Sequence, residues 1–300
     1  MSQSKPGLVV PPLTPFKKDL SVDTRALRKQ VDFVVDVCGA SMVVAAGVEA
    51  QEYHYLTLEQ RKDLIRDTIE FVDGRRPVAV GISHPSFKLA AELAGFAAEL
   101  GAHAVQLLAP LRPFGGAPSA DELLRYFELV ARETDLPLML YLNPGPGAAV
   151  SEDTTLALAQ LKQVRYVKES SRDMTRVARL IQEIDLNGHV RYFTTMQVLL
   201  PTLMLGGSGA TMPAPAAALA RRLIDAFERG DLAEAARIQK QFALYPAKWM
   251  KHGLAPVMKA SMQILGIPAG DPYPPFLPIS GKERESLGSY LETTDLIVAE

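Results

Sequence analysis

Six short apolar runs, at 41–46, 77–82, 104–109, 137–142, 164–168 and 190–194, recur along the chain, and each is separated from the next by a segment with helical periodicity. Strands that alternate with helices in this way run parallel, because the helix carries the chain back to the starting edge of the sheet. Residues 8–11 add a first strand and 209–212 a short last one. The periodic segments predict helices at 24–37, 59–72, 86–100, 119–133, 152–161, 173–185 and 196–205. Hydroxyl residues followed by acids mark several starts: Thr57 before Glu59 and Gln60, Ser119 before Asp121 and Glu122, Ser151 before Glu152 and Asp153. Eight strand–helix units close most economically into an α/β fold of the (β/α)8 TIM-barrel type.

Further helices are expected at 215–229, 231–245 and 254–265, then an irregular Pro-rich segment at 268–278 and a last helix near 281–291. The expected organisation is a catalytic barrel over 1–213 with a C-terminal helical extension, 214–300, packed on it. A barrel of this kind commonly needs about 250 residues, so 300 residues accommodate it with that appendage.

With 48% hydrophobic and 22% charged residues, the chain has the composition of a globular protein with a large core. A formal charge of -2 gives no broad attraction to phosphate backbones or anionic lipid, so neither nucleic acid nor membrane is an expected partner. Cys38 is the single cysteine, which rules out an internal disulfide and suits a reducing cytoplasm. Residues 1–7 lack the apolar core of an export signal, so a cytoplasmic location is expected.

Barrel enzymes place their chemistry where the strands end, so the polar residues just beyond each run are the candidates. They are Thr14, Glu49 with Glu52, Ser83 with His84, Arg112, Tyr141 with Asn143, Lys168 with Glu169 to Ser171, Thr194 with Thr195, and Thr211. Strand alternation puts Val164, Tyr166 and Lys168 on one face. A lysine on an inward face has two readings. Desolvation favours its neutral amine, which can attack a ketone carbonyl and form an imine. Alternatively, it is a rim lysine paired with Glu169 or Asp173. Tyr141 ends the preceding strand and either shuttles protons beside Lys168 or fills the barrel mouth. The turn Asn143-Pro144-Gly145-Pro146-Gly147 shapes the wall after it. Gly206, Gly207 and Gly209 fit no phosphate-binding spacing, and the five histidines form no ligand pair; no organic cofactor and no metal are expected.

The ordered motifs resemble the dihydrodipicolinate synthase and N-acetylneuraminate lyase superfamily over nearly the whole chain. Pro12-Leu13-Thr14-Pro15-Phe16, Gly74-Arg75-Arg76-Pro77-Val78, Tyr141, Val167-Lys168-Glu169-Ser170-Ser171 and Leu205-Gly206-Gly207-Ser208-Gly209 carry the resemblance. It implies a Schiff-base lyase of the class I aldolase kind acting on pyruvate or a related 2-oxo acid. Lys168 is then the nucleophile and Tyr141 the proton shuttle. Glu49, Ala50, Asn143, Ser170, Thr194, Thr211, Arg112 and His84 are the expected substrate contacts. The resemblance also implies a homotetramer or dimer, to which the apolar stretch at 199–205 can contribute.

The departures fall on substrate-defining positions. The family's Gly-Thr-Thr-Gly-Glu loop, which holds a carboxylate and relays protons, aligns with Val48-Glu49-Ala50-Gln51-Glu52, without either threonine. The synthases' relay tyrosine after strand four corresponds to the Leu111-Arg112 region, and Pro146 stands where they carry a carboxylate-gripping arginine. Glu49 beside a substrate carboxylate must be protonated, paired with Arg112 or turned away. Glu49 or Glu52 acting as an acid or base would suit a dehydratase of a 2-keto-3-deoxy sugar acid; Glu52 equally matches the family's structural glutamate. A barrel that binds a metabolite without turning it over is the third reading.

Overall fold

The structure is a computed structural model that describes residues 7–48, 50, 52–114, 116–242 and 244–296. The strands, in chain order, are β1 (Gly7–Val10), β2 (Met42–Ala45), β3 (Val78–Gly81), β4 (Ala104–Leu108), β5 (Leu138–Leu142), β6 (Val164–Glu169), β7 (Arg191–Thr195) and β8 (Gly209–Thr211). The helices are α1 (Thr24–Asp32), α2 (Leu58–Val72), α3 (Phe87–Glu99), α4 (Ala120–Ala131), α5 (Glu152–Ala159), α6 (Met174–Leu180), α7 (Leu199–Met204), α8 (Ala217–Glu228), α9 (Leu232–Lys240), α10 (Leu254–Ile264) and α11 (Gly281–Glu292). The sheet order β1 to β8 closes on itself, which makes the fold the (β/α)8 barrel that the alternation predicts. Among the described residues, no helix is long and apolar enough to cross a membrane.

The helix starts follow the capping chemistry. Thr57 and Ser119 form reciprocal capping boxes with Gln60 and Glu122, and Ser151 accepts from the Thr154 amide. Two predicted helices end differently from a plain α pattern: the segments after α1 and α6 widen into single π turns, Phe33–Val37 and Ile181–Asp185. The second delivers the Asp185 carboxylate to the Tyr192 and Ser208 amides, at 3.0 and 2.7 Å, joining the starts of β7 and β8.

The chain divides into two compact units. One consists of Gly7 and residues 77–211 and contains β3 to β8. Its strands pair in parallel register, with Leu108 opposite Tyr141, Tyr141 opposite Lys168, and Lys168 opposite Phe193. The register slips once: Leu138 faces Val164, but Met139 faces Tyr166. Arg165 is thus an extra residue, and one extra residue reverses the side that every earlier side chain takes. Val164 therefore lies on the face opposite Lys168, contrary to strict alternation, while Tyr166 keeps the lysine's side.

The other unit consists of residues 8–76 and 212–296. Its most demanding feature is a buried ion pair. Lys259, on α10, is 1% exposed and stands 2.5 Å from Glu52, which is 5% exposed. The other oxygen of Glu52 accepts from the Tyr273 amide at 3.0 Å. Lys259 also donates to the Asp271 carbonyl at 2.8 Å and lies over the Phe16 ring. Burial pulls the lysine's pKa down while Glu52 pushes it back up. The irregular 268–278 segment is thereby fastened to α10.

Candidate active site

Lys168 and Tyr141 meet because β5 and β6 are adjacent and these two residues are register partners at the carboxy-terminal ends of both strands. The Lys168 Nζ lies 3.6 Å from the centroid of the Tyr141 ring, over its face. Tyr141 is fully buried and Lys168 half-buried. The phenol oxygen accepts a hydrogen bond from Asn143 Nδ2 at 3.0 Å.

The acids once open as partners of Lys168 are committed elsewhere. Glu169 alternates to the opposite face of β6, where Arg176 Nε and Nη2 donate to its two oxygens at 2.5 and 3.3 Å. Tyr192 donates its hydroxyl to the same carboxylate at 3.1 Å, and Arg176 also reaches Thr155. Burial and the neighbouring Glu169 charge hold the Tyr192 phenol well above the usual range. Asp173 caps α6 by accepting from the Thr175 and Arg176 amides. The β6 strand is therefore pinned from its outer side, and Lys168 is presented from the inner one.

Two residues beyond the Leu108–Tyr141–Lys168–Phe193 row, the same register brings up a polar rim. Asn143, Ser170, Thr195 and Thr211 all share the phase of that row. Thr195 faces Thr211 directly across β7 and β8. The Thr211 hydroxyl is buried and makes no hydrogen bond among the described residues. Thr194 points to the other side, where its hydroxyl lies 2.6 Å from that of Thr202 on α7. Sequence reading named both threonines as polar but chose Thr194; the phase of β7 against Lys168 makes Thr195 the inward one.

The remaining candidates sit as follows. Arg112 is exposed and salt-bridged to Glu122 in the α4 capping box. His84 accepts the Ser86 amide at 2.9 Å through Nδ1, and its carbonyl accepts from the Tyr126 hydroxyl at 2.6 Å. Ser83 accepts the Leu108 amide. Ala50 is buried, while Glu49 lies outside the described residues. Gln106 was missed by sequence reading: it is buried one step below Leu108 and bonded to Met139 Sδ. A single glutamine within an apolar run was its only signal. Among the described residues, no group of three or more His, Cys, Asp or Glu side chains gathers to hold a metal ion.

This arrangement can do imine chemistry: an amine and a phenol share one site, with hydroxyl and amide groups in phase beyond them. A family model described as the Dihydrodipicolinate synthetase family matches residues 4–294. The 4-hydroxy-tetrahydrodipicolinate synthase of Bacillus subtilis (strain 168) is 31% identical over 282 residues, covering 92% of this chain and 95% of that protein. A solved dihydrodipicolinate synthase superposes with a TM-score of 0.85 at 26% identity, over 97% of this chain and 100% of its own. The N-acetylneuraminate lyase of Mycoplasma synoviae shares the fold, with a TM-score of 0.83 at 23% identity over 97% of this chain and 98% of its own. The chain belongs to the dihydrodipicolinate synthetase family.

Proposed function

We propose that this protein is a lyase of the class I aldolase kind that forms a Schiff base between Lys168 and pyruvate or a related 2-oxo acid. The carrying observation is the placement of the Lys168 amine on the ring of Tyr141 at paired strand ends. The amine attacks the C2 carbonyl to give a carbinolamine. The Tyr141 phenol gives its proton to the carbinolamine hydroxyl, which leaves as water as the nitrogen lone pair closes the C=N bond. The protonated imine withdraws electrons from C3, the phenolate takes a C3 proton, and the resulting enamine is the carbon nucleophile for condensation. Cleavage runs the same steps in reverse.

Ser170, Thr195 and the unpartnered Thr211 hydroxyl supply donors for the substrate's carboxylate where the family's threonine pair is absent. Water elimination by Glu52 loses its support, since both oxygens of that carboxylate are held, by Lys259 and the Tyr273 amide. Met204 and Leu205, 63% and 39% exposed at the end of α7, support assembly into a homotetramer or dimer, and a cytoplasmic location is part of the same proposal.

Borohydride reduction in the presence of pyruvate, followed by intact-mass measurement, tests the mechanism. A pyruvate-derived adduct is expected on wild type and none on Lys168→Ala. No adduct on wild type, or an equal one on the variant, overturns it.

A further inference from the structure

The family relay runs through hydroxyls that this chain lacks: the threonine pair is replaced at Glu49 and Ala50, and the relay tyrosine in the Leu111-Arg112 region. The Tyr141 hydroxyl nevertheless has a defined partner in Asn143. We infer that Asn143 is a positioning residue for proton transfer, directing the Tyr141 phenol proton towards the substrate and steadying the phenolate left when it departs. This inference rests on the imine reading of Lys168.

The chemistry of the contact sets its direction. An amide N–H only donates, so the phenol oxygen accepts from Asn143 and its own O–H must point elsewhere. A threonine hydroxyl can both accept and donate and so pass a proton along a chain; an amide N–H cannot. When the phenol has given its proton to the carbinolamine hydroxyl, the Asn143 bond is made to an anion and becomes stronger. The phenolate then recovers its proton from C3, so the proton balance closes on the substrate.

Asn143 is held for this task. Pro144 restricts its backbone to extended conformations. Its carbonyl accepts from the Gly147 amide at 3.0 Å, and the Ala148 amide donates to the Ala109 carbonyl at 2.9 Å. Gly147 is pressed so close to the end of β4 that a Cβ there would lie 2.6 Å from the Ala109 carbonyl oxygen and 2.8 Å from the Leu108 side chain. The turn is clamped to β4, and the side chain that it carries forward meets the phenol.

Time courses of borohydride trapping with pyruvate, on wild type, Asn143→Ala and Asn143→Asp across a pH series, test the inference. Asn143→Ala is expected to form the Lys168 adduct about tenfold more slowly at neutral pH, to the same final extent, with the alkaline limb of the rate moved to higher pH. Asn143→Asp, nearly isosteric, is expected to be slower still, since a carboxylate cannot donate and repels the phenolate. Wild-type rates and an unmoved pH profile in Asn143→Asp overturn the inference. So does a raised half-saturating pyruvate concentration with an unchanged rate at saturation, which marks a substrate contact. Failure of wild type to form an adduct at Lys168 overturns instead the imine reading beneath it.

Discussion

Two lysines of this chain sit in different company, although each lies over an aromatic ring. Lys259 is enclosed by Glu52, the Asp271 carbonyl and the Phe16 ring, all of which favour its ammonium form. Lys168 is half-buried over an aromatic face, and the carboxylates nearest to it in sequence are turned to Arg176 and to the α6 cap. A lysine deep in a fold is thus no sign of chemistry by itself. Lys259 is a strut held by its ion pair with Glu52, whereas Lys168 meets a phenol where β5 and β6 end.

Exchanging the two lysines for uncharged residues should separate these roles. Lys168→Ala should lower turnover by on the order of 10⁴-fold, with little change in the urea midpoint. Lys259→Met should do the reverse, destabilising the protein by about 3–5 kcal/mol, because Glu52 would remain buried and unpaired. Adding Glu52→Leu to that variant should restore most of the loss, measured by urea unfolding. A double variant no more stable than the single one would show that the pair is not the strut described.

Tyr141→Phe sharpens the reactive half of the contrast. It keeps the ring beneath Lys168 and removes the hydroxyl, so adduct formation should slow by about 10²-fold or more while its final extent is kept. An unchanged rate would reduce Tyr141 to a platform. The smallest effect concerns Cys38, whose thiol burial pushes up to about 12. A thiol protonated so far above its ordinary pKa should react with a disulfide reagent only on unfolding, at any pH where the fold survives. Because the native state holds that proton more tightly, the thiol's contribution to stability should decline as pH rises from about 9 towards 12.

Much of the candidate site's placement is legible in the linear pattern. Tyr141 and Lys168 each end an apolar run, and adjacent parallel strands bring such ends together whatever the details of packing. Asn143, Ser170 and Thr211 follow from the same rule. Thr194 does not, because choosing between it and Thr195 needs the phase of β7 against β6. That phase is a property of paired strands and not of either strand alone. Val164 shows the same dependence, since the extra residue Arg165 reverses its face.

Eight strand–helix units, their parallel order, the caps that start the helices and the placing of an amine and a phenol at neighbouring strand ends can all be read from the amino-acid order. These depend on local periodicity and on residue chemistry within a few positions. Three features emerge only from the folded chain: which inward residues share a phase with Lys168, the pairing of Glu52 with Lys259, and the meeting of an asparagine amide with the Tyr141 hydroxyl. The first depends on register and the second on residues far apart in the chain. The third needs a turn clamped to β4 at Gly147, where no side chain fits.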